Sequence, residues 1–172
     1  MHAQIVVGEQ ATRSLTIGPH PHERGQFRLE SRLLVPAKLD KVFAFFSDAG
    51  NLETLTPAWI RFQILSPRPI AMRVGALIDY RLRIRGLPMR WRSLISVWNP
   101  PNLFVDEQVR GPYRLWRHIH DFEAVDGGTL VSDTVDYRVP GGRLVNRLFV
   151  QPDVERIFRF RQAKSSRSDR AE

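Results

Sequence analysis

The chain contains no cysteine, which rules out disulfides, thiolate metal clusters and a thiol nucleophile, and gives secretion no support. Nowhere does it approach the ~18 uninterrupted apolar residues of a membrane span. Its first residues, "MHAQIVVGEQATRSLTIGPHPHERGQ", lack the basic start and apolar core of a signal peptide. Internal repeats are missing as well. These absences predict a soluble protein of an interior, cytoplasmic compartment. Acidic residues are also in short supply, 18 against 26 lysines and arginines, for a formal net charge of +8. A nucleic acid or an anionic bilayer would be the electrostatically matched macromolecular partner. The arginines are spread along the chain rather than gathered in one block, which a solvated basic exterior would show equally well.

What is present is the material of one globular domain, 172 residues of which 42% are apolar. Residues 1–26 hold turn formers with little periodicity and read as a flexible lead-in with one short strand at Gln4 to Val7. Residues 27–162 read as the folded domain and residues 163–172 as a polar tail. Within the domain, "FRLESRLLV" alternates like a strand from Phe27 to Val35. Pro36 then opens a helix in which Leu39, Val42, Phe43 and Phe46 share one face, and a second helical turn, "NLETLTP", stops at Pro57. From Phe62 onward come strand-like runs separated by turn signals, and after Gly141 and Gly142 the pattern turns helical. Pro152 predicts a kink or restart in that helix. The layout is α+β, a long antiparallel sheet with a terminal helix over one face.

In an antiparallel pair the numbers of opposed residues add to a constant, so each turn predicts a register. "DGG" at Asp126 to Gly128 sets Phe122 against Val131, His120 against Asp133, His118 against Val135 and Trp116 against Tyr137. "GPY" sets Phe104 against His120, Asp106 against His118 and Gln108 against Trp116. "NPPN" sets Val97 against Phe104, Ile95 against Asp106 and Ser93 against Gln108. "RGLP" sets Ile84 against Met89, Leu82 against Trp91 and Tyr80 against Ser93, which opposes Arg81 to Arg92 and Arg83 to Arg90. One face is then wet, carrying these arginines with Asp79, Glu107, Asp121 and Asp136. The other is apolar, yet it also carries Asp106, Gln108, His118, His120 and Asp133.

Burying an unpaired ionisable group costs several kcal/mol, so those five polar residues must satisfy one another or meet a ligand. Aromatics around a few convergent polar groups describe a pocket for an apolar molecule with a polar end. Trp91, Trp116, Phe104 and Tyr137 are expected as its wall, with Tyr80, Phe122 and Asp133 beside them and Tyr113 at the rim. His118, His120, Asp106 and Gln108 are expected at the ligand's polar end. A polar network that only fixes strand register would use the same residues. His118 with Asp106 could serve as an acid/base pair. Two histidines at i, i+2 with a carboxylate could also hold Zn²⁺ or Fe²⁺, but that spacing is common by chance, and no metal or cofactor is assigned.

The stretches "VPAKLDKVFAFFSDAGNLETLTP", "GLPMRWRSLI", "PPNLFVDEQVRGPYRLWRHIHDFE", "GGTLVSDTVDYRVP" and "LVNRLFV...IFRFR" resemble the START-like, or SRPBCC, helix-grip superfamily. Within it the chain is most similar to bacterial proteins related to polyketide cyclases, over about residues 27–162. The resemblance implies a curved antiparallel sheet wrapped around a long C-terminal helix, with two short helices after the first strand and a cavity between sheet and helix. It further implies a hydrophobic or amphipathic ligand of the lipid, polyketide or quinone class. The alternative it leaves open is a cyclase or hydrolase using the His118–Asp106 pair. A third reading, from the arginine face, is contact with an anionic membrane surface or nucleic acid. That face carries no aromatics to stack bases, which places nucleic acid last. The oligomeric state is not legible.

Overall fold

The computed structural model describes residues 13–165. One eight-stranded antiparallel sheet has the order β1-β2-β8-β7-β6-β5-β4-β3. Its strands are β1 (Arg13–Pro19), β2 (Phe27–Val35), β3 (Gln63–Ile64), β4 (Leu77–Ile84), β5 (Leu87–Asn99), β6 (Leu103–Arg110), β7 (Leu115–Val125) and β8 (Gly128–Arg138). Helix α1 (Leu39–Ser47) and 3-10 turns at Ala49–Leu52 and Ala58–Ile60 join β2 to β3. The C-terminal helical segment runs through α2 (Gly142–Val145), a π-helical turn (Asn146–Val150) and α3 (Gln151–Ser165). This is the expected α+β helix-grip architecture.

Several expectations need correction. The sheet begins at Arg13, because β1 pairs with β2 from Arg13↔Leu33 to Pro19↔Phe27; the strand expected at Gln4 to Val7 lies outside the described residues. One α-helix and two 3-10 turns stand where two short helices were expected. Pro152 is the second residue of α3, directly after the π-helical turn, so the irregularity expected of the proline falls in the turn that precedes it, where α3 starts.

The β7–β8 register is as the Asp126–Gly127 loop predicts, with His120↔Asp133, His118↔Val135 and Trp116↔Tyr137. On β6 and β7, Phe104↔His120 and Asp106↔His118 hold, but the ladder stops at Glu107↔Arg117, short of Gln108 and Trp116. A bulge between Ile95 and Val97 places Trp98, not Val97, opposite Phe104, since one extra residue shifts every later partner. The β4–β5 register differs by two residues: Tyr80 opposes Trp91, Leu82 opposes Met89 and Arg81 opposes Arg90. Its loop is Arg85–Gly86, both at positive φ (51° and 83°), the backbone of a tight type I′ hairpin. Arg92 therefore meets Asp79 and binds it through Nε at 2.8 Å and Nη2 at 2.9 Å, so the expected opposition of Arg81 to Arg92 does not occur. Nor is the outer face uniformly wet, for Asp136 is buried under Arg28 and His20.

The two-residue error left side-chain parity intact, so the concave face is the expected one. It is packed as three clusters. Phe27, Leu29, Val135 and Tyr137 meet Val154 and Phe158 of α3. Leu33, Val35, Phe104, Phe122 and Val131 meet Val42 and Phe43 of α1. Ile64, Ile78, Tyr80 and Ile95 form the third, beside Ala49. Each side chain fully buried this way contributes ~1.5–3 kcal/mol. Gln162 pins α3 to the sheet by donating Nε2–H to Ser14 O at 2.8 Å and Ser31 Oγ at 3.0 Å, which accounts for a serine in the buried row of β2.

Candidate functional site

Two adjoining voids lie where the three clusters meet, between the concave sheet and α3. The larger, about 140 Å³, is walled by Tyr80, Leu82, Trp91, Tyr113 and Trp116 on the sheet side and by Val154, Ile157 and Phe158 of α3, with Ser93, Asp106, His118 and Arg161 supplying polar groups. The smaller, about 60 Å³, is bordered by Phe46, Ile78, Tyr80, Ile95, Phe104, His120 and Arg161. A wider trough of about 1050 Å³ between Pro36–Phe46 and the β7–β8 turn contains none of the expected site residues.

The aromatic wall follows from strand alternation. Trp91 on β5 and Trp116 on β7 point to the same face and meet edge-on at 5.4 Å between ring centroids, and Tyr113 closes the group at 4.7 Å from Trp116. Tyr113 is aimed by its turn: Gln108 Nε2 donates to Tyr113 O at 2.7 Å, and Tyr113 N donates to Gln108 Oε1 at 3.2 Å. A Cβ at Gly111 would collide with that Gln108 side chain, so the glycine is what lets the glutamine tuck beneath the turn. Gln108 thus holds the rim and borders neither void. Phe122, Asp133 and Tyr137 also stand behind the lining. Tyr80, Trp91, Phe104, Asp106, Tyr113, Trp116, His118 and His120 all reach one void or the other.

The histidines and aspartates form a closed ring of contacts. His118 Nε2 lies 2.9 Å from Asp133 Oδ1, and His120 Nε2 lies 3.0 Å from Asp106 Oδ2. His118 Nδ1 is 3.7 Å from Asp106 Oδ2, too far for a hydrogen bond, and His120 Nδ1 is 3.0 Å from Asp133 Oδ1 but off the N–H line, an electrostatic contact only. The hydrogen-bonded partners are therefore crossed relative to the His118–Asp106 pairing expected from β6 and β7.

Both imidazoles are buried, at 3% and 6% exposure, with ring centroids 3.7 Å apart. Two cations at that distance repel strongly, so the pair separates into different protonation states. Burial, reinforced by the charge on His120, lowers the His118 pKa to about 4. Burial pulls on His120 too, but carboxylates on both sides outweigh it and raise its pKa. Burial would also raise both carboxyls, yet their histidine partners hold Asp106 and Asp133 below the usual range. His120 therefore takes up a proton ahead of His118; it lies between two carboxylates and is stacked on Phe104 at 4.1 Å, where its protonated form gains a cation–π contact. His118 is neutral, donates Nε2–H to Asp133 and keeps an Nδ1 lone pair. Asp106, His118 and His120 offer three ligand atoms within 4.8 Å of one another, but a metal there would have to compete with the existing His–Asp bonds.

Sequence reasoning missed Arg161. It borders both voids, and its Nε is buried without a hydrogen-bond partner among the described residues. The signal was present: Val154, Ile157 and Phe158 mark an apolar helical stripe, and the next position of that stripe is 161.

At the level of fold, the chain is similar to protein Ms6760 of Mycobacterium smegmatis (TM-score 0.64, 13% identity, 88% of this chain and 94% of that one). It is similar also to protein CV1439 of Chromobacterium violaceum (TM-score 0.66, 11% identity, 84% and 99%). A third likeness is to part of a nucleoside-diphosphate sugar epimerase of Corynebacterium glutamicum (TM-score 0.58, 24% identity, 79% of this chain and 28% of that one). No curated protein matches the chain. Residues 35–162 match the family described as polyketide cyclase/dehydrase and lipid transport, which covers strands β3 to β8, the aromatic wall and most of α3, and the chain belongs to that family.

Proposed function

We propose that the protein binds a hydrophobic or amphipathic small molecule between the concave sheet and α3. The observation that carries this reading is the void walled by Trp91, Tyr113, Trp116 and Ile157, with His118, Asp106 and Arg161 converging on it. An apolar wall with a few placed polar groups is the usual make-up of a small-molecule site. Lipids, polyketides and quinones are the ligand classes that membership of the family favours. Binding is preferred to catalysis because His118, the imidazole that faces the larger void, is too weak a base at neutral pH for efficient proton abstraction. Mass spectrometry of organic extracts of the purified protein tests the reading, and a co-purifying apolar compound in stoichiometric amount is expected. His118→Ala should reduce its retention modestly. Complete loss of turnover with binding intact, on any substrate so identified, would instead establish the cyclase or hydrolase alternative.

Contact with an anionic membrane surface is favoured by a second observation, different from the arginine face. Leu144, Leu148 and Phe149 are 68%, 53% and 47% exposed on the helical segment that leads into α3, with Arg143 and Arg147 exposed among them. Leu87 adds 63% exposure from the β4–β5 hairpin. Arg85 of that hairpin joins it to the segment by donating to Asp153 at 2.9 Å and to Phe149 O at 3.1 Å. Ile84 and Val154, each one residue away, line the larger void, so the patch borders the site. Apolar residues interleaved with arginines suit the headgroup boundary of an anionic bilayer. Co-sedimentation with vesicles containing phosphatidylserine, absent with phosphatidylcholine alone and lost in Leu148→Glu, is the expected result; equal binding to both vesicle types would reject it.

A further inference from the structure

We propose that the ligand is a compact aromatic acid, one ring bearing an ionised oxygen group, and that Arg161 receives the anion. The proposal rests on the binding site proposed above and specifies the chemistry of its occupant.

Arg161 is the anomaly of α3. Val154, Ile157 and Phe158 precede it on the same stripe and close the larger void. Its guanidinium carbon stands 5.3 Å from the Phe158 ring centroid, and no salt bridge or hydrogen bond satisfies it among the described residues. A guanidinium is always charged and presents a planar fork of donors matched to a carboxylate. Its Nε–H is withdrawn from water without a partner, which is costly unless an acceptor meets it. The nearby carboxylates are already engaged, Asp106 by His120 and Asp133 by His118. Asp106 feels the Arg161 charge without a hydrogen bond to it. The fork is therefore free to bind an incoming anion.

Position and size narrow the class. Arg161 borders both voids, so an anion bound to it sits at their junction. From there the larger void extends between Trp91, Trp116 and Tyr80 on one side and Ile157 on the other. At about 140 Å³ it is below the ~300 Å³ of ordinary drug-sized pockets. It is close to the ~150 Å³ of an engineered apolar cavity that admits benzene. A single ring between aromatic walls, with its carboxylate or phenolate at Arg161, fills the larger void and places its charge where the only unpaired donor fork lies among the lining residues.

Isothermal titration of the full chain with benzoate, benzamide and toluene tests this, at about pH 7.5 where a carboxylic acid is ionised. Benzoate is expected to bind at least tenfold more tightly than benzamide, its neutral isostere. Arg161→Gln should bring benzoate down to the benzamide level while leaving toluene unchanged. If benzamide and toluene bind the unaltered protein as well as benzoate does, the anion proposal is overturned while the cavity reading stands. If the benzoate preference survives in Arg161→Gln, Arg161 is not the receptor and the proposal is likewise overturned. If none of the three binds, the single-ring class falls, and a co-purifying apolar compound would then support the cavity reading by itself. The benzoate–benzamide comparison needs no substitution, so it decides the matter even if the variant fails to fold.

Discussion

The split protonation of His118 and His120 makes stability depend on pH in a direction that can be worked out. The His118 pKa falls from 6.5 to about 4 on folding. At about 1.36 kcal/mol per pH unit, its neutrality contributes about 3 kcal/mol. A buried imidazole with a lowered pKa takes up its proton more readily when unfolded, so this contribution is complete above pH ~6.5 and is lost as pH falls from there toward ~4. His120 acts in the opposite sense. Its raised pKa gives stability that is complete below pH ~6.5 and is lost as pH climbs through the folded value. The lowered Asp106 and Asp133 add a further loss as pH falls below their unfolded range. Stability should therefore peak near pH 6.5. The acid side should drop by about 3 kcal/mol before the carboxylates titrate, equivalent to a Tm change of ~6–12 °C for a domain of this size. Urea denaturation followed by tryptophan fluorescence at half-unit steps from pH 4 to 8 measures the profile. His118→Gln should flatten the limb between pH 4.5 and 6.5 and leave the alkaline limb in place. A limb that persists unchanged in His118→Gln would refute the assignment of the neutral imidazole to residue 118.

Gly128 opens β8 with φ of 146°, and a Cβ there would collide with the Val35 carbonyl oxygen. Gly128→Ala should cost more than ~2 kcal/mol by urea denaturation, whereas a neutral result would mean the β2–β8 end can part freely. Gln162→Ala removes the donors to Ser14 O and Ser31 Oγ and leaves a buried serine without its partner. A loss of ~1–3 kcal/mol is expected, with faster hydrogen exchange in β1 than elsewhere in the sheet as the local readout.

How much of this was legible depended on how each constraint is written in the chain. The β7–β8 register followed from one dipeptide, Asp126–Gly127, because a two-residue loop leaves a single pairing. The β4–β5 register did not, because its loop places Arg85 rather than asparagine or aspartate in the first left-handed position, and Pro88 drew the turn toward itself. Its error was two residues, which preserves which face each side chain occupies, so the site survived a wrong register. The bulge after Ile95 has no such protection. A one-residue insertion exchanges faces, and Trp98 took the inward place expected of Val97. Strand β1 was overlooked for another reason: as an edge strand with only Leu15, Ile17 and Gly18 partly covered, it carries too little alternation to stand out from a loop.

The candidate site was legible on one side and not on the other for a single physical reason. His118 and His120 stood out because strand alternation has period two, and a two-residue step along "WRHIHDF" kept returning polar rings to the apolar row. Arg161 breaks its own apolar row in the same way, but at the helical period, over the seven residues from Val154. Three arginines close together in "RIFRFRQ" also make a solvated helix look ordinary. Read at the period proper to its element, each anomaly is a charged or titratable group where packing calls for an aliphatic one. The strands bring the histidines to the concave face, and α3, held by Gln162 one residue beyond Arg161, brings the guanidinium down over them. Neither period alone marks the candidate site; their convergence on one void does, because there, among the described residues, a guanidinium with an unpartnered Nε, a neutral imidazole and an aromatic wall share the same small space.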